Sequence, residues 1–232
     1  MTAATVTVLV TALLRLFALE PSLTCQVMVR AITYQNTDTD NPTTGDRVVR
    51  VTVNDGDGGT SANANVTVAV AAVNDAPVVS GAGATLAYTE NASATVIDAD
   101  LTLSDVDSNN LTGATVTISG NFQSGGEDVL AFTAASGSNI TGSFNNSTGV
   151  LTLSGTTTKA LYEQTLESVT YQNTSDNPST SARTITWQVN DGSGANNLSS
   201  AVTSTVTVAA EPDLSINDVT TCLLYTSDAA DE

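Results

Sequence analysis

Thr184-Ile185-Thr186-Trp187-Gln188-Val189-Asn190-Asp191-Gly192 alternates polar and apolar side chains for six residues and then breaks at a turn signal. Period-two alternation marks a strand with one face on a core and the other on solvent. Asn-Asp-Gly then supplies the positive-φ residues of a tight hairpin turn. Trp187, the only tryptophan of the sequence, lies on the apolar phase, so it is read as a core residue and not as a sugar-stacking platform.

The same phrase stands earlier in the chain. Val53-Asn54-Asp55-Gly56 precedes Val189-Asn190-Asp191-Gly192 by 136 residues, and Asp40-Asn41-Pro42 precedes Asp176-Asn177-Pro178 by the same interval. Thr33-Tyr34-Gln35-Asn36-Thr37 returns as Thr170-Tyr171-Gln172-Asn173-Thr174 after 137. Self-similarity at a fixed interval implies tandem units. The expected division is the C-terminal part of one unit over 31–73 and a complete unit over 74–210. Residues 211–221 then begin a following domain.

The two ends depart from this pattern. Residues 1–30 have almost none of the Gly, Asn and Asp that punctuate the repeats, and are expected to be non-repeat sequence, read out of frame or from a truncated gene end. Arg15 interrupts their apolar run, which argues against a membrane span, and a basic leader region is missing. Residues 222–232, Cys222-Leu223-Leu224-Tyr225-Thr226-Ser227-Asp228-Ala229-Ala230-Asp231-Glu232, resemble a translated sequencing-library adapter. Neither Cys25 nor Cys222 is therefore given a disulfide or metal role.

Within 74–210 further alternating runs cover 85–89, 95–103, 114–119, 129–133, 150–154 and 202–208. Turn signals separate them, among them Gly81-Ala82-Gly83 and Asn145-Asn146-Ser147-Thr148-Gly149. Seven or more short strands in one unit predict an all-β sandwich. One stretch differs: Lys159-Ala160-Leu161-Tyr162-Glu163-Gln164-Thr165-Leu166 is rich in helix formers, with Leu161, Thr165 and Leu166 at helical spacing, and predicts a single short helix that plugs the core.

Composition removes several functions. Lys and Arg total 6 against 24 Asp and Glu, a formal charge of −18, so nucleic acid and anionic membrane are excluded as partners. Histidine is absent, which removes Ser-His-Asp relays and His-ligated zinc. Aromatic residues are only 4% of the chain, which disfavours a stacking site for glycans. The expectation is a protein that is not an enzyme.

What the composition offers in abundance is oxygen. Asp105 and Asp107 project to the same side of an extended backbone, and two carboxylates on one side suit a calcium ion, which takes six to eight oxygen ligands in irregular geometry. In a Greek-key sandwich the loop after the second strand, the loop before the last strand and the N-terminal linker share one pole. Asp105 and Asp107, Asn190 and Asp191, and Asn74 and Asp75 fall in those three segments. By contrast, Asp98-Ala99-Asp100 reads as a solvated strand face, and Asp176-Asn177-Pro178 as a plain turn.

Taken in order, Asn74-Asp75-Ala76-Pro77, Tyr88-Thr89-Glu90-Asn91, Asp105-Val106-Asp107-Ser108-Asn109, Thr148-Gly149-Val150-Leu151-Thr152-Leu153 and Val189-Asn190-Asp191-Gly192 resemble a cadherin-like repeat of large bacterial surface adhesins. The resemblance spans the second unit. It implies immunoglobulin-like or cadherin-like sandwich repeats, Ca2+ as the cofactor, and Asp75, Asp105, Asp107 and Asp191 as side-chain ligands, with a carbonyl from Asn74 or Asn109. Glu90 would serve the opposite pole. It further implies an extracellular or cell-surface location, with adjacent repeats of the same chain and a surface, glycan or protein ligand as partners. Asp213-Leu214-Ser215-Ile216-Asn217-Asp218-Val219-Thr220 resembles the opening strand of a Calx-beta domain. The alternative reading is a glycan- or protein-binding sandwich module that needs no metal.

Overall fold

The computed structural model describes residues 6–7, 30–54 and 58–212. Asp55 and Gly56, both cysteines, the adapter-like tail and the Calx-beta-like stretch lie outside them. The chain divides into two compact units, Met1–Val73 and Asn74–Glu232.

The first unit contains β1 (Val6–Thr7), β2 (Gly45–Val51) and β3 (Ala64–Val70) in one sheet. β2 and β3 form an antiparallel hairpin in which Arg47 faces Val68 and Val49 faces Val66.

In the second unit β4 (Val78–Ser80), β5 (Thr85–Thr89), β6 (Thr95–Val96), β7 (Thr102–Ser104), β8 (Asn110–Gly120), β9 (Asp128–Ala131), β10 (Thr141–Asn145) and β11 (Val150–Thr158) precede helix α1 (Lys159–Glu167). β12 (Thr170–Asn173), β13 (Arg183–Asn190) and β14 (Val202–Ala209) follow it. One six-stranded sheet runs β10-β11-β8-β13-β14-β5; β6-β12-β9 and the pair β4-β7 complete the architecture. The fold is an all-β sandwich with a single helix among the described residues. Its core joins Val116, Leu153, Ile185 and Trp187 of the large sheet to Leu130 and Tyr171 of the smaller one and to Tyr162 and Leu166 of α1. Across that core the Tyr88 and Tyr171 rings meet edge to face at 5.1 Å, a geometry that adds about 1 kcal/mol to their burial.

Trp187 is fully buried, and its indole N–H donates to Ser204 Oγ at 2.9 Å. The core phase of β13 also holds a charge, Arg183, which bonds both oxygens of buried Asp128 at 3.1 and 3.2 Å. Tyr171 Oη, Asn173 Nδ2 and the Gln123 N–H also donate to that carboxylate. Burial and the Asp128 carboxylate push the Tyr171 hydroxyl well above its ordinary pKa, so it stays a proton donor to Asp128. Here the recurring Tyr-x-Asn phrase has a physical role: it helps enclose a buried ion pair.

The two hairpins share one register. Arg47 faces Val68 as Arg183 faces Val206, and Val51 faces Ala64 as Trp187 faces Val202. Ser61 and Ser199 both take the N–H of the strand opposite, from Val53 at 2.9 Å and from Val189 at 3.1 Å. Arg47 donates to Gly45 O and Thr43 O, as Arg183 does to Ser181 O and Ser179 O. The Tyr34 segment forms no strand, whereas its counterpart β12 does, with β6 and β9 as partners.

Three expectations need correction. The run 95–103 is not one strand: it breaks into β6 and β7, because Asp98 turns inward. Asp98 is only 2% exposed, not on a solvated face, and accepts from Ser204 Oγ at 2.6 Å and from the Gly83 and Ala84 N–H groups. The turn signal Gly81-Ala82-Gly83 is the kink through which the chain leaves β4, paired with β7, for β5, paired with β14. Asn190-Asp191-Gly192 opens a wider loop instead of a two-residue turn, since Asn190 next pairs with Leu198. The helix is present as expected, but it buries Tyr162 with Thr165 and Leu166, while Leu161 is only half-buried.

Candidate functional site

Strand register decides which loops meet. Val78 of β4 pairs with Ser104 of β7, so Asn74 and Asp75 arrive beside the loop 105–109. Asn190 of β13 pairs with Gly113 near the start of β8, which brings Asp191 to the same end. Thr158, the last residue of β11, pairs with Asn110, so Lys159 begins its helix over the same loop.

In that loop Asp105 Oδ1 accepts the N–H groups of Asp107 and Ser108 at 3.1 and 2.9 Å, a local turn that fixes the carboxylate. Asp107 Oδ2 accepts the Asp75 N–H at 3.0 Å. The remaining oxygens, Asp105 Oδ2 and Asp107 Oδ1, are buried and have no hydrogen-bond partner. Burial raises the Asp105 pKa above the ordinary carboxylate value, backbone N–H bonds partly oppose this, and the neighbouring Asp107 carboxyl adds to the rise.

Asn74 is a crosspiece. Its Nδ2 lies 2.8 Å from Asp191 Oδ2, 3.0 Å from Asp75 O, 3.1 Å from Ala195 O and 3.3 Å from Asn196 O. An amide has two hydrogens to offer, so four acceptors compete for two donors. Asp191 Oδ1 accepts the Ser193 N–H at 2.7 Å. The Asn74 carbonyl accepts from Asn196 Nδ2 at 2.9 Å, and the Asn109 carbonyl from the Lys159 N–H at 3.2 Å.

Asn74, Asp75, Asp105, Asp107, Asn109 and Asp191 therefore stand at one pole, in different roles. Asp105 and Asp107 present free oxygens, Asp75 contributes its N–H, and Asp191 is tied to Asn74. Among the described residues no three acidic side chains converge on one point. Glu90 stands apart. It follows β5, whose Thr89 pairs with Ala209 at the far end of β14, about 23 Å from that strand's first residue at the usual rise of a strand. Its Oε2 takes the Glu211 N–H at 2.9 Å and its Oε1 faces Asn91 Nδ2 at 3.4 Å.

Sequence reasoning missed Lys159, the only lysine of the chain. Its Nζ donates to Asp105 O at 2.6 Å and to Ser108 O at 2.7 Å. A signal was available, since a cation in the first position of a helix opposes the helix dipole.

The second unit is thus a β-sandwich module whose chain enters at an oxygen-rich pole and leaves at the opposite one. No protein-family model matches the chain. Over 112 residues, 47% of its length, it is 38% identical to Halomucin of Haloquadratum walsbyi, of which it spans 1%. Among solved structures, the extracellular cadherin domains 1–5 of protocadherin gamma B2 share 21% identity, covering 66% of this chain and 24% of that one at a TM-score of 0.28. So loose a superposition adds nothing to the strand order given above. No helix among the described residues is long and apolar enough to cross a membrane.

Proposed function

We propose that the second unit is a calcium-stiffened, non-catalytic structural or adhesive module of a large extracellular or cell-surface protein, set in tandem with units of its own kind. The observation that carries this reading is the pair of buried, unpartnered oxygens on Asp105 and Asp107. A buried carboxylate oxygen without a donor is costly, and two side by side repel. A hard cation relieves both penalties, and millimolar extracellular calcium fills even weak sites. The surplus of acceptors around Asn74 Nδ2 supports the same reading. Asp105 and Asp107 would supply the side-chain oxygens, and Asp191, Asp75 and the carbonyls of Asn74 and Asn109, at the same pole, are proposed to join them after local rearrangement. Glu90 is proposed for the opposite pole, in the service of a following domain.

Tandem arrangement draws support from the shared hairpin register and from ends that leave the sandwich at opposite poles. A bivalent ion at the pole where the chain enters would stiffen the Asn74-Asp75 hinge. The metal-free glycan reading draws no support from Tyr88, Tyr162, Tyr171 and Trp187, which are all in the core.

Calcium titration of the chelator-stripped full chain, followed by calorimetry and thermal melting, tests the proposal. Binding and a rise in Tm are expected, and both should be lost in Asp105→Asn with Asp107→Asn. A wild-type chain that neither binds calcium nor changes its Tm at millimolar concentration overturns it.

A further inference from the structure

Resting on the calcium reading above, we infer that Lys159 is a built-in stand-in cation that holds the 105–109 loop in shape when no metal is bound. Three donations run from this one residue to the loop: Nζ to Asp105 O at 2.6 Å, Nζ to Ser108 O at 2.7 Å, and the backbone N–H to Asn109 O at 3.2 Å. They bracket both aspartates. The ammonium is half-buried, and among the described residues it is not part of an ion pair, the one such pair being Arg183–Asp128. Its bonding in the structure is directed at main-chain oxygen, the ligand type that calcium also takes.

Lys159 is poorly placed for the helix itself. It is the first residue of α1, where the positive end of the helix dipole disfavours a cation. The helix has no acidic residue in its first turn to offset that charge, and Thr158 makes no side-chain capping bond. A local rule broken at one position, in a chain with only 6 cationic side chains, marks a residue selected for another task. That task is visible in the register: because Thr158 pairs with Asn110, the first helical residue lies against the loop that leads into β8.

Without a stand-in, the loop would carry adjacent buried carboxylates and unanchored carbonyls, and would open in the metal-free state. With it, the carbonyls stay drawn inward and the free oxygens of Asp105 and Asp107 keep their positions. Lys159 is therefore a positioning residue that pre-organises the pole.

The test is amide hydrogen exchange on the full chain, in chelator and in millimolar calcium, for wild type, Lys159→Met and Lys159→Arg. In chelator the Met variant should exchange at Asp107 and Ser108 at least tenfold faster than wild type, while β8 and β13 amides stay protected. Calcium should restore the loop amides, and Arg, which keeps charge and donors, should behave as wild type. Unchanged loop protection in the Met variant under chelator overturns the inference. If the Met variant loses β8 and β13 protection as well, Lys159→Gln, which retains a donor without the charge, takes its place with the same criterion. Absence of any calcium response in wild type removes the metal reading alone, since faster loop exchange in chelator still establishes the loop-holding role.

Discussion

Asp105 holds one carboxylate oxygen on two backbone amides and leaves the other without a donor, and that asymmetry has a pH signature. Burial, then the Asp107 carboxyl, raises its pKa in the folded state above the ordinary value of 3.8. A raised carboxyl pKa means that ionisation is penalised by folding. The penalty is complete above the folded pKa and is relieved as pH falls through it. In chelator at pH 7, Asp105→Asn should therefore melt higher than wild type, and the gap should close as the pH is lowered through the raised range. Wild type melting higher in chelator at pH 7, by an amount independent of pH, would contradict it. Asp105 and Asp107 were picked out in the sequence from a spacing that assumes an extended chain, whereas the loop is a turn in which Asp105 Oδ1 accepts the Asp107 and Ser108 N–H groups. Asp98 was not, since its role depends on Ser204, far along the chain. Nor was Asp128, whose partner Arg183 is likewise remote and whose enclosing Tyr171 and Asn173 were visible only as a repeated phrase.

At the scale of elements, alternation located the strands that line the core, because β13 buries every second side chain from Arg183 to Val189. Short pieces such as β4 and β10 escaped it. The three residues of β4 do not establish a period, and β10 is largely exposed on both faces at the sheet edge, so it shows no apolar alternation. The break between β4 and β5 was likewise hidden, since a glycine pair reads as a turn whether the chain reverses or switches sheets. Gly81 carries that switch. Its φ is +78°, and an added Cβ would lie 1.8 Å from Asp100 O, a contact that forces the backbone to move. Gly125, at φ +87°, has open space around the same position. Gly125→Ala should cost only the left-handed penalty of about 1 to 2 kcal/mol. Gly81→Ala adds an overpacking cost of roughly 1 to 3 kcal/mol or more to that penalty. Urea midpoints of the two variants measure the difference; equal losses would show that the kink yields freely.

For the molecule as a whole, a formal charge of −18 means that the folded chain repels itself. Compaction brings the surface carboxylates together, and salt relieves that cost because exposed charges are screened beyond a Debye length of about 8 Å at physiological ionic strength. Calcium acts in two ways on such a chain: it screens as any divalent ion does, and it fills the proposed site. The two separate by burial, because the unpartnered oxygens of Asp105 and Asp107 are shielded from bulk ions. In chelator the urea midpoint should climb as KCl is raised from about 0.05 to about 1 M, with the same slope for wild type and for Asp105→Asn with Asp107→Asn. Millimolar calcium at matched ionic strength should then add a step in wild type only, and that step should persist at the highest KCl. A step that fades with KCl, or that appears equally in the double variant, would assign the calcium effect to the surface charge as a whole and leave the pole a purely structural junction.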